Sequence, residues 1–219
     1  GGWSNASPAS RVKTPAPTQL TKGQIYLIDK PGAAQSVIQL GWVGVPRSTP
    51  DYFTIEVLNT ILGGSFSSRL NRNLREEHGY AYGAGSGFDM RLSGGAFLAR
   101  ASVQTDKTAE ALKEFFNELR GISAAPVPDE ELSRAKNFVA LGFPGEFETS
   151  GDRARKLEEL LVYTLPETYF ERYVASIQAV TAAAVQKAAT TYVQPSRFAV
   201  VIVGDRQKIE AGELRYGDH

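Results

Sequence analysis

Strand-like runs in this chain come in pairs, and no other feature limits its fold so strongly. Residues 24–30 (QIYLIDK) and 35–43 (QSVIQLGWV) are β-branched and aromatic stretches separated by the turn signal Pro31-Gly32. Residues 80–90 and 96–104 make a second pair, joined through Arg91-Leu92-Ser93-Gly94-Gly95. In 96–104, Phe97, Ala99, Ala101 and Val103 alternate with Leu98, Arg100 and Ser102, as a sheet with one apolar and one more polar face requires. A last apolar run, 197–204 (RFAVVIVG), has the length of a buried strand. A doubly wound parallel sheet needs strands that alternate with single helices, and this order does not supply them. The expectation is an α+β domain, a mainly antiparallel sheet with helices packed on one face.

The helical stretches fill the gaps. Residues 52–62 (YFTIEVLNTIL) read as a mostly buried helix stopped by Gly63-Gly64, and 67–77 (SSRLNRNLREE) as a more polar one closed by Gly79. Residues 106–120 carry Ala109, Leu112, Phe115, Phe116 and Leu119 at helical spacing. Pro128 followed by Asp129, Glu130 and Glu131 opens a further helix running towards Pro144, and three more patterns follow near 150–163, 167–176 and 181–193. Residues 1–20 are rich in Gly, Ser, Pro and Ala and read as an interdomain linker, which leaves 21–219 as a single α+β domain. Asn5-Ala6-Ser7 matches a glycosylation sequon, a pattern short enough to arise by chance.

Composition removes most chemistries. Lys and Arg total 24 against 24 for Asp and Glu, so the basic surface expected of a nucleic-acid binder is missing. No apolar run is long enough to span a membrane. There is no cysteine, hence no disulfide, thiolate metal ligand or cysteine nucleophile, although this does not settle the compartment. A catalytic zinc site needs three protein ligands, commonly with two histidines a helical turn apart. The two histidines here are His78 and His219, and Glu76, Glu77 and His78 are chain neighbours that fan out around a helix. No metal site and no G-x-S-x-G elbow is expected. Gly83, Gly85 and Gly87 fit neither a dinucleotide nor a P-loop fingerprint; they make a thin strand that a peptide backbone can approach.

The remaining chemistry sits in residues 63–83, GGSFSSRLNRNLREEHGYAYG. Arg69, Arg72 and Arg75 recur at three-residue spacing, followed by Tyr80 and Tyr82. Guanidinium and phenol donors suit a carbonyl or carboxylate. Equally, the arginines fit a solvated face paired with Glu76 and Glu77, and the tyrosines fit a core.

The same segment resembles the pitrilysin/insulinase family of zinc metallopeptidases, which includes the mitochondrial processing peptidases. The likeness lies in Gly63-Gly64, Ser67-Ser68-Arg69-Leu70 and Leu74-Arg75-Glu76-Glu77-His78-Gly79-Tyr80-Ala81-Tyr82. It extends to Phe170-Glu171-Arg172-Tyr173, to 177–185 and to Val201-Ile202-Val203-Gly204-Asp205. The resemblance implies duplicated α+β domains paired as a clamshell around a substrate chamber, with an H-x-x-E-H zinc motif in one half. The helix at 52–62 holds no histidine, so the chain is identified as the C-terminal, non-zinc half, with zinc expected in the partner half, in the same full-length chain or in a partner subunit. In active members that half lends the zinc site an Arg and a Tyr seven positions apart, which points to Arg75 and Tyr82 as catalytic. Arg69, Tyr80, Gly83, Gly85 and Gly87 are then expected to bind the peptide substrate. The alternative is a non-proteolytic structural or interaction subunit of the same family.

Overall fold

The computed structural model describes residues 15–211; most of the 1–20 linker, the Asn5-Ala6-Ser7 sequon and His219 lie outside them. One mixed sheet contains β1 (Gln24–Asp29), β2 (Gln35–Val43), β3 (Ala81–Phe88), β4 (Ala96–Gln104) and β5 (Ala199–Gly204). Its strand order is β1-β5-β2-β4-β3. The two strands that flank Pro31-Gly32 are therefore not neighbours. β5 lies between them, parallel to β1 and antiparallel to β2, while β4 pairs antiparallel with both β2 and β3. The turn redirects the chain instead of closing a hairpin: Gly32 takes φ +75°, and its N–H donates to Asp205 just beyond β5 at 2.9 Å. The central position suits β5, whose Val200 and Ile202 are fully buried on one face while Val201 and Val203 are half-buried on the other. A strand apolar on both faces gains most when both its edges are paired.

The alternation read in β4 holds. Phe97, Ala99, Ala101 and Val103 are buried, and so are Ser36, Ile38, Leu40 and Trp42 of β2, whereas Val37 and Leu98 are exposed on the opposite face. The helices cover the buried face. They are α1 (Tyr52–Asn59), continued by a π-helical turn (Thr60–Gly64), and α2 (Arg69–Asn71), continued by a second π-helical stretch (Arg72–Glu77). After β4 come α3 (Thr108–Ala124), α4 (Asp129–Gly142), α5 (Ser150–Tyr163), α6 (Tyr173–Gln178) and α7 (Ala182–Tyr192), with α8 (Arg206–Ala211) following β5. Leu58, Leu62, Leu70, Leu74, Leu112, Phe115, Phe116 and Leu119 join the sheet residues in one core. Each such fully buried Leu or Phe contributes about 1.5–3 kcal/mol. Trp42 stacks on Phe97 at 4.2 Å while its indole N–H donates to the Tyr192 carbonyl at 2.9 Å, tying α7 to the sheet.

α5 is held differently. A capping box between Thr149 and Asp152 starts it, yet none of its residues is buried. Its anchor is polar. Arg47, in the loop after β2 and only 6% exposed, donates to Glu159 of α5 at 3.0 Å and to the Tyr169 hydroxyl at 2.7 Å. Its guanidinium also lies 3.5 Å above the Tyr52 ring. Two hydrogen bonds and an aromatic face compensate the desolvated charge.

Candidate functional site

The segment 63–83 begins where α1 ends. Gly63 is pressed against β3, so that an added Cβ would overlap the Ser86 backbone N and hydroxyl. Only glycine lets the π-helical turn approach the strand so closely. The chain then loops through Phe66, enters α2 and leaves it at Gly79, whose φ of +66° turns the backbone into β3. The inner side of α2 and of its π-helical continuation is fixed by the fully buried Leu70 and Leu74. Two buried asparagines complete the fixing. Asn73 donates to Glu114 at 3.1 Å and to Glu118 at 2.8 Å on α3. Asn71 donates to the Phe66 carbonyl at 2.6 Å and accepts from the Ala84 N–H of β3 at 3.2 Å.

The three arginines diverge. Arg69 makes a two-pronged contact with Glu131 of α4, at 2.9 and 2.6 Å, with both side chains mostly buried. The Glu131 hydrogen bonds raise the guanidinium's already high pKa against the opposing effect of burial. Arg69 thus joins α2 to α4, with its fork taken up by Glu131. Arg72 pairs with Glu77 at 3.4 Å on the exposed side. Arg75 makes no ion pair among the described residues; its guanidinium lies 4.3 Å from the centre of the Phe66 ring.

The tyrosines separate as well. Tyr80 precedes β3, stacks on His78 at 4.9 Å and packs half-buried against the core. Tyr82 stands 89% exposed. The β3–β4 register shifts between Ala81 and Ala84, a bulge that contains Tyr82 and Gly83 and re-aims their side of the strand. Among the glycines, Gly87 would leave an added Cβ in open space, Gly83 would bring it to 3.4 Å from Asn71 Oδ1, and Gly85 to 3.1 Å from the Gly63 carbonyl. β3 is an edge strand, but the Ala84 N–H that an incoming peptide strand could use is already bound to Asn71. The structure therefore sets Phe66 beneath Arg75, leaves Tyr82 exposed near the start of β3, pairs Arg69 with Glu131 and packs Tyr80 against His78.

Phe66 and Asn71 carry the arrangement and were not among the residues picked out by chemistry. Asn71 had a signal: it is a polar residue beside Leu70 on the inner side of a helix, where an amide must find partners. Among the described residues no group of three His, Cys, Asp or Glu side chains could hold a metal ion. His78 Nε2 reaches only Glu114, at 4.0 Å. A zinc ion therefore does not fit here. No described helix is long and apolar enough to cross a membrane.

Comparison with known proteins adds independent observations. The family description "Peptidase M16 inactive domain" matches residues 1–139. An uncharacterised zinc protease of Streptomyces coelicolor is 33% identical over 113 residues, 52% of this chain and 24% of that protein. An uncharacterised zinc protease of Mycobacterium tuberculosis is 28% identical over 125 residues, 57% of this chain and 28% of that one. Among solved structures, a peptidase M16 inactive domain from Pseudomonas fluorescens superposes with a TM-score of 0.82 at 26% identity, covering 91% of this chain and 47% of its own. A protease from Helicobacter pylori superposes with a TM-score of 0.81 at 20% identity, a likeness of fold. The chain thus spans about half of these solved chains, and its matches cover about a quarter of the curated relatives.

Proposed function

The chain belongs to the peptidase M16 family as an inactive domain, and on that premise we propose that it is the non-zinc half of a clamshell metallopeptidase. In this reading it forms one wall of a chamber for a peptide substrate and offers Arg75 and Tyr82 to the active site of a separate zinc-binding half. Gly83 and Gly87 keep the strand beside Tyr82 thin. The single observation that carries the reading is that Arg75 has no carboxylate partner among the described residues while Tyr82, seven residues on, is 89% exposed. A structural arginine would be paired and a structural tyrosine packed against the core, as Arg69 and the half-buried Tyr80 are.

Hydrolysis of a peptide bond passes through a tetrahedral oxyanion. Donors fixed where that charge develops matter more in the transition state than in the ground state. Arg75 supplies a permanently charged fork and Tyr82 a hydroxyl. Both would act across the interface, and the metal would be held by the other half.

The test uses the assembled two-half protein. Tyr82→Phe removes one donor and lowers turnover by roughly ten- to a thousandfold, and Arg75→Ala lowers it at least as much, with zinc content unchanged. This chain purified alone takes up no stoichiometric zinc and cleaves no peptide. Near-normal turnover in both variants, or a loss matched by unfolding, would overturn the assignment. So would one tightly held zinc ion in the isolated chain.

A further inference from the structure

An arginine that must present its donors to a substrate has to be oriented without being consumed. A carboxylate orients a guanidinium by occupying its N–H groups and cancelling its charge, as Glu131 does to Arg69. An aromatic ring orients it through the face and leaves the in-plane donors free. The ring beneath Arg75 is Phe66, which is 67% exposed and so is not there to fill the core. Its loop is nonetheless pinned. The Ser65 hydroxyl donates to the Thr60 carbonyl at 3.1 Å, the Ser68 N–H to the Ser65 carbonyl at 3.1 Å, and Asn71 Nδ2 to the carbonyl of Phe66 itself at 2.6 Å. Asn71 is 4% exposed, and its other amide atom holds Ala84, two residues beyond Tyr82.

We infer that Phe66 is a positioning residue for Arg75 and that Asn71 keeps the Phe66 loop and the Tyr82 strand in one frame. This rests on the reading of Arg75 as a substrate-facing donor. Phe66 acts through Arg75: it narrows the orientations open to a long side chain before the transition state forms, which belongs to kcat more than to KM.

The test is a double-mutant cycle in the assembled two-half enzyme, with zinc content and melting temperature recorded for each variant. Phe66→Leu lowers kcat by about two- to fivefold, the rate equivalent of an exposed cation–π contact, with KM nearly unchanged. Phe66→Tyr keeps the aromatic face and restores most of the rate. In the Arg75→Ala background Phe66→Leu has no further effect, because the group it positions is gone. An unchanged kcat for Phe66→Leu, or an equal loss with and without Arg75, would overturn the inference and leave the role of Arg75 standing. If Arg75→Ala itself is silent, the reading of Arg75 falls and this inference falls with it.

Discussion

Glu56 offers the sharpest test of the packing. It lies on α1 among Arg47, Lys156, Glu146 and Glu159, and burial pushes its carboxyl from the ordinary 4.5 up to about 6, against the pull of Arg47. Glu146 and Glu159 add to the rise and Lys156 opposes it. Between those two values the folded chain still holds a proton that the unfolded chain has released. The unfolding free energy therefore falls as pH rises from 4.5 through 6, and the cost is fully present above that. The rise from 4.5 to about 6 amounts to about 2 kcal/mol, an upper bound because Glu56 keeps some contact with solvent. Glu56→Gln is nearly isosteric and cannot ionise. It raises stability by about 1–2 kcal/mol at pH 7.5 and by little at pH 4. Urea unfolding of both proteins at pH 4, 5, 6 and 7.5 reads this directly, with the difference opening across the 4.5–6 window. A gain of equal size at every pH would mean that the glutamate's shape is at fault. A loss at pH 7.5 would mean that the ionised carboxylate supports Arg47, and the reasoning would be refuted.

Two further outcomes follow from the contacts around the site. Glu131→Ala leaves the mostly buried Arg69 without its fork partner and lowers stability by about 1–3 kcal/mol in chemical unfolding, with Arg69→Ala/Glu131→Ala less damaging than the two single losses added. Gly87→Val adds bulk in open space, so the melting temperature stays close to the original while KM of the assembled enzyme rises; an unchanged KM would remove β3 from the peptide's path.

Local pattern carried most of the fold. β4 and α5 occupy the spans that alternation and helical spacing indicate. Strand order did not follow from local pattern, because the placement of β5 depends on contacts between residues far apart in the chain, such as Tyr26 with Val201. The clue lay in the 197–204 run, which is apolar at consecutive positions and so suits a strand with neighbours on both sides. A turn signal such as Pro31-Gly32 specifies a reversal and not which strand fills the gap beside it. α8, six residues long, is too short to show a helical period in the sequence. Asp205 caps it, accepting from Lys208 N at 3.3 Å as well as from Gly32, and those backbone bonds draw its carboxyl below the usual range.

At the site, residue type indicated donors and not which of them were spoken for. Arg69 and Arg75 lie in one short segment of similar composition, and both face acidic possibilities nearby in sequence. What separates them is Glu131, sixty-two positions away, which claims one and not the other. Tyr80 and Tyr82 differ for a comparable reason: the strand starts at Ala81, and the bulge before Ala84 breaks the alternation that would have put both on one face. A charged group left without a counter-charge and an aromatic left in water both forgo stabilisation available elsewhere in the same fold. On the proposed reading both departures serve an outside group: Arg75 lies on the second π-helical stretch and Tyr82 on β3, and one buried amide, that of Asn71, links β3 to the Phe66 loop beneath Arg75.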